Sequence, residues 1–192
     1  EELREMGIPA FADTGTGFFK TSEVQVVLSL LQVIDNPLQD IPLLAVLRSP
    51  IVGFTTGELA ELRLADRKAD IYHALCKLAQ GAGNESESLA CERADPDVPD
   101  SGGKGAGSRA PEKAAAFLSK LEKWRDMALY MSTDQLLYQL YNETGYYAMV
   151  GAMPAGDQRQ ANLRILFERA RQFEETSYKG LFNFIYFIDK LK

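Results

Sequence analysis

The stretch Asp13-Thr14-Gly15-Thr16-Gly17-Phe18-Phe19-Lys20-Thr21-Ser22-Glu23 sets two glycines, a lysine and a threonine ahead of a helical pattern. Those are the ingredients of a loop that cradles phosphate. Such a loop needs glycine directly before the lysine and another five residues before that glycine, so that successive backbone N–H groups curl around the anion. Here Phe19 precedes Lys20 and Thr14 holds the earlier position. A phenylalanine side chain blocks the close backbone approach that glycine permits. No nucleotide site is expected: the glycines read as a tight turn, with Phe18 and Phe19 inserted into the core beneath it. The rest of the chemistry-bearing inventory is thin. His73 is the single histidine, so Ser–His–Asp or Cys–His catalysis is hard to build, and Cys76 and Cys91 form no CxxC pair. Both cysteines read as reduced thiols. No catalytic, cofactor-binding or metal-binding residue is assigned.

Composition narrows the classes further. A chain of 192 residues suits one domain or one and a half, large enough for a real core. No run of about 18 apolar residues exists, so no membrane span is expected. The opening "EELREMG" is polar and lacks a leader's apolar segment. The first residue is not Met, which suggests a piece of a longer, cytoplasmic protein. The formal charge of −6 argues against blanket nucleic-acid binding. The deficit lies in residues 1–110, however; residues 111–192 carry 10 acids and 11 bases, leaving room there for a neutral-to-basic surface.

The elements read as mainly α, a helical bundle-like arrangement with one or two short strands near the N-terminus. Ile8 to Ala12 reads as a strand. A helix starts at Ser22, with Ser22 and Gln25 as a capping box. Between Val24 and Ile34 only Gln25, Ser29 and Gln32 are polar, a thin stripe on an otherwise apolar cylinder. If that cylinder's partner lies outside the chain, it leaves an open apolar face. Asn36-Pro37 stops it. A second helix starts at Asp40 with Pro42 in its first turn, and "SPIVGFTTGEL" reads as a short hairpin into a third, capped by Thr55 and Glu58. A fourth covers about residues 70–80. Residues 81–110 are dense in Gly, Ser, Asp and Pro and read as a mobile loop inserted between helices. A long helix opens at Pro111 with Ala114, Phe117, Leu118, Leu121 and Trp124 on its core face. Ser132 and Gln135 cap the next, which ends near Gly145. Helices from about Gly156 and Ser177 close the chain. Glu174-Glu175 reads as solvated helix surface.

Two blocks carry a resemblance. Gly7-Ile8-Pro9, Gly17-Phe18-Phe19, Glu23, Asn36, Arg48, Pro50 and Gly53 follow the pattern of UvrD-like superfamily 1 helicases where the second RecA-like domain (2A) hands over to its helical 2B insertion. "IDNPLQDIPLLAVLRSPIVGF" and "GDQRQANLRILFERARQFEETSYKGLFNFIYFIDKLK" resemble more closely the AddA-type subunits of bacterial AddAB helicase–nucleases, along nearly the whole chain. The resemblance implies a division into residues 1–40, the end of a 2A segment, and residues 41–192, a 2B-like subdomain. It implies a parent protein that couples ATP hydrolysis, with Mg, to unwinding and degrading DNA ends in double-strand-break repair. It also implies a partner subunit of the AddB type. The ATP and nuclease motifs would lie outside this segment, which would itself be catalytically silent. The 81–110 insert departs from the family pattern, as does Ile51-Val52-Gly53-Phe54 where simpler relatives have Gly-Ile-Gly.

Two surfaces are candidates for DNA. In the simpler helicases the 2B hairpin touches duplex phosphates, which by resemblance nominates Arg48, Ser49, Gly53, Thr55 and Thr56. Gly53 permits a tight turn, and Thr55 or Thr56 opens a helix whose free N–H groups suit an anion. The alternative is an ordinary helix–helix turn with an ordinary cap. The second surface is Arg164 and Arg171, seven apart on one helix face, with Glu168 between them as a candidate ion-pair partner; here the alternative is a solvated helix face. A competing function is a protein-interaction or scaffolding module with no DNA contact.

Overall fold

The computed structural model describes residues 17–81, 109–176 and 178–191. The strand expected at Ile8–Ala12 and residues 82–108 of the expected loop lie outside them. The described residues form a 3-10 turn, Phe18–Lys20, and nine helices with no strand among them: α1 (Ser22–Asp35), α2 (Asp40–Arg48), α3 (Thr56–Ala65), α4 (Ile71–Gly81), α5 (Ala110–Ala128), α6 (Thr133–Thr144), α7 (Tyr146–Gly151), α8 (Gly156–Glu174) and α9 (Leu181–Leu191). None is long and apolar enough to cross a membrane. The chain divides into two compact units, Ser29–Met131 and Glu1–Leu28 with Ser132–Lys192.

The expected apolar cylinder is α1, and Gln25, Ser29 and Gln32 form its wetter stripe. Val24, Val27, Leu30, Leu31 and Val33 are buried, so α1 presents no open apolar face. Its start differs from expectation. The Ser22–Gln25 capping box does not form: Gln25 donates through its side chain to the Phe19 carbonyl, and its backbone N–H goes to Thr21 O. Phe19 is buried, while Phe18 stays half-buried.

In the unit Ser29–Met131, α5 packs on α4 and α3, and α4 also packs on α2. Trp124 and Phe117 meet edge to face in its core, 6.5 Å between ring centroids. The expected hairpin is a turn without strand pairing: Phe54 N–H donates to Leu47 O at 2.9 Å, Gly53 adopts φ +73°, and the chain enters α3 at once. Asp40 at the head of α2 accepts from Ile71 N–H (2.9 Å) and so joins the starts of α2 and α4.

In the other unit, α8 packs against α6 and α7. The start of α6 is not capped by the Ser132 side chain. Glu174, from the far end of α8, accepts from Thr133 N–H at 2.9 Å. A carboxylate expected on solvated surface thus meets the positive end of a helix. The turn between α7 and α8 is tight because two glycines meet backbone to backbone. A Cβ on Gly156 would strike the Gly151 carbonyl, and Ala155 before it lies in the left-handed region at φ +57°. Gly156→Ala is expected to destabilise by about 1–3 kcal/mol, since the obstacle is backbone rather than a mobile side chain. Ala155→Gly should be neutral to stabilising by up to about 1 kcal/mol, through relief of the left-handed strain. Thermal denaturation of both variants beside the parent chain reads the opposite signs.

Candidate nucleic-acid interface

Five of the sequence candidates share the turn between α2 and α3. Arg48 is exposed and reaches back to the Phe54 carbonyl at 3.4 Å. Ser49 points inward: it is 4% exposed, donates to Val46 O at 2.6 Å and accepts from Ile51 N–H. It cannot meet an external phosphate without breaking that arrangement. Thr55 is the N-cap of α3, and the expected capping box forms: Thr55 Oγ1 accepts from Glu58 N–H (3.3 Å) and Glu58 Oε2 accepts from Thr55 N–H (2.7 Å). Thr56 is exposed.

That box changes the electrostatics of the turn. The positive end of α3 already carries a carboxylate, which opposes a phosphate at the same N–H groups. A cation from far along the chain answers it. Lys113 of α5 donates to Glu58 and to Gly53 O at 2.9 Å and lies over the Phe54 ring. The Lys113 hydrogen bond, foremost, holds the Glu58 carboxyl below the usual range. No basic residue stands between Arg48 and Arg63 in the sequence, so the lysine that braces this turn has no local signature. The arrangement is that of a helix cap tied to its neighbour.

The other two candidates belong to α8, in the other unit. That helix carries four arginines with different fates. Arg159 turns inward, donating through Nη1 to Glu23 Oε2 (2.9 Å) and Ser22 Oγ (2.9 Å) and through Nε to Pro154 O. Arg169 lies 5.9 and 5.8 Å from the ring centres of Phe18 and Phe19. Arg164 and Arg171 are exposed. Arg164 donates to Tyr147 Oη at 3.0 Å. Among the described residues neither is within ion-pair distance of a carboxylate, the candidate partner Glu168 included.

Beneath this face sits a buried polar knot. Glu23, 4% exposed, accepts from Asn162 Nδ2 at 2.6 Å as well as from Arg159. Tyr146 Oη donates to the Glu23 carbonyl at 3.4 Å, and burial pushes its phenol up to about 12. Glu23 belongs to the first of the two family-like sequence blocks, Arg159 and Asn162 to the second.

Glu23 of the one block therefore forms a single constellation with Arg159 and Asn162 of the other. The chain matches the UvrD-like helicase C-terminal domain family over residues 1–89. Along its whole length it is 69% identical over 192 residues to the A-type subunit of the ATP-dependent helicase/nuclease of Acetivibrio thermocellus. It is 59% identical over 191 residues to the protein of the same name from Ruminiclostridium cellulolyticum, and 47% over 199 residues to that of Clostridioides difficile. The chain belongs to this family of UvrD-like helicase/nuclease proteins. It spans 13% of the first two of these relatives and 14% of the third. The helicase and nuclease of the name are properties of those far longer chains. Among the described residues of this helicase/nuclease segment, no group of three or more His, Cys, Asp or Glu is placed to hold a metal ion.

Proposed function

We propose that this chain is a non-catalytic helical module of an ATP-dependent DNA helicase/nuclease protein that serves double-strand-break repair and recombination in the cytoplasm. It contacts the phosphate backbone of duplex DNA ahead of the motor through the exposed face of α8. ATP and Mg act elsewhere in the full-length protein, which works beside an AddB-type partner. The observation that carries the DNA contact is the outward pair Arg164 and Arg171, two guanidinium groups without a carboxylate partner among the described residues. Such contacts position a protein on the duplex without reading sequence.

The test is Arg164→Glu with Arg171→Glu in the full-length protein, titrated with blunt duplex DNA between about 50 and 200 mM salt. Loss of two phosphate contacts should weaken binding and make the slope of log K against log salt shallower by about 2. Unchanged affinity and slope would discard the contact.

A second reading has its own observation. Phe182, 66% exposed, and Tyr186 stand one helical turn apart on the outside of α9. An aromatic face of this kind suits a protein partner, here the AddB-type protein or a neighbouring domain of the same full-length chain. Under that reading the double arginine variant binds duplex normally, while Phe182→Asp weakens association.

A further inference from the structure

A cavity of about 370 Å³ opens between α6, α7 and α8, inside the usual range of roughly 300–1,000 Å³ for small-molecule sites. Its lining is three tyrosines, a phenylalanine, an asparagine and an arginine. Tyr138, Tyr141 and Asn142 stand at i, i+3 and i+4 on α6 and so share a face. Tyr147 comes from α7, and Arg164 and Phe167 from α8. The back of the site is fixed. Tyr141 Oη donates to the Leu163 carbonyl at 3.2 Å, and its ring lies 6.2 Å from that of Tyr147, tilted by 33°. Tyr147 Oη in turn accepts from Arg164. The front is open: Tyr138 is 61% exposed, and Asn142 and Arg164 are exposed beside it.

The composition points to a ligand with a flat π-face, a hydrogen-bonding edge and a negative charge. Aromatic faces accept any base by stacking, a side-chain amide pairs with a base edge, and a guanidinium without a carboxylate partner complements a phosphate. We infer that this cavity takes one unpaired nucleotide of single-stranded DNA, its base stacked against Tyr138 and Tyr147, its edge at Asn142 and its phosphate at Arg164. The inference rests on the reading of the chain as part of a DNA-working protein, and it adds a single-strand contact to the duplex contact. It places on α8 both a backbone-tracking face and, at the same arginine, a stop for a strand that has left the duplex.

The experiment uses the full-length protein with a duplex whose single-stranded dT tail carries 5-iododeoxyuridine, and a blunt duplex of the same sequence beside it. Ultraviolet cross-linking followed by peptide mapping should place tail cross-links at Tyr138 or Tyr147. Tyr138→Ala and Asn142→Ala should each cut that yield by about 5- to 100-fold, in line with the cost of losing one stacked or paired base. Tyr138→Phe should restore the yield, and blunt-duplex affinity should stay unchanged in all three variants. Cross-links confined to other peptides, or an equal loss with blunt and tailed DNA, would overturn the inference. Failure of the duplex contact itself reads out separately, as indifference of blunt-duplex binding to the Arg164 and Arg171 reversal.

Discussion

Replacing Glu23 with alanine should destabilise the unit that holds α8 by about 3 kcal/mol, the scale of removing one partner from a buried ionic and hydrogen-bonded set. Both carboxylate oxygens are in use, Oε1 by Asn162 and Oε2 by Arg159, with Ser22 Oγ at 3.3 Å. The deletion leaves the buried Asn162 amide without its acceptor and Arg159 with only Ser22 and Pro154. Glu23→Gln should cost less, about 1–2 kcal/mol, because its shape is kept while one amide N–H faces another donor. The pH dependence follows from the same contacts. Burial alone would raise the Glu23 carboxyl, but the Asn162 amide, backbone N–H, Thr21 and Arg159 together outweigh it and hold it below its ordinary value of 4.5. A carboxyl depressed in the folded state adds stability that is complete above the unfolded value and disappears as pH falls through the folded one. The gap in melting temperature between the parent and Glu23→Ala should therefore be full at pH ~7 and narrow below about pH 4. A gap that widens on acidification would contradict this account of the site.

The same residue shows where local sequence stops informing. The apolar run from Val24 to Ile34 announces α1, and the Thr55–Glu58 spacing announces the cap of α3, because helix periodicity and capping are written within a few residues. The family pattern marks Glu23 only as a position. It does not say that the carboxylate is buried, since its partners lie 136 and 139 residues away. Nor does α8 show from its own sequence which arginine turns inward. Arg159 does because Glu23 is there to meet it, and Arg164 stays outside because its neighbour is a tyrosine hydroxyl. Lys113 at the α2–α3 turn and Glu174 at the start of α6 are equally non-local, 60 and 41 residues from the groups they satisfy. In each case a cap or turn is legible and its long-range stabiliser is not. The aromatic cavity follows the same rule: α6 presents tyrosines at helical spacing, but only packing brings Arg164 beside them.

Trp124→Ala should give the largest loss in the unit Ser29–Met131, about 3–5 kcal/mol, the range for truncating a buried tryptophan or phenylalanine. Trp124 heads the largest fully buried side chains, with 0% of its surface exposed. It sits on the α5 face that packs on α4 and α3. Phe117 already lies edge-on to the indole, and the buried positions one turn to either side on α5 are Leu121 and Met127. The lost transfer free energy and the residual cavity therefore add. Trp124→Phe should cost less, because it retains an aromatic contact with Phe117. Lys120→Ala, an exposed change on the same helix, should stay within about 0.5 kcal/mol and control for helix propensity. Unfolding is followed by far-ultraviolet circular dichroism, because Trp124 is the sole tryptophan and fluorescence disappears with it. A loss under about 1 kcal/mol for Trp124→Ala would mean that the indole is not the packing centre of this unit.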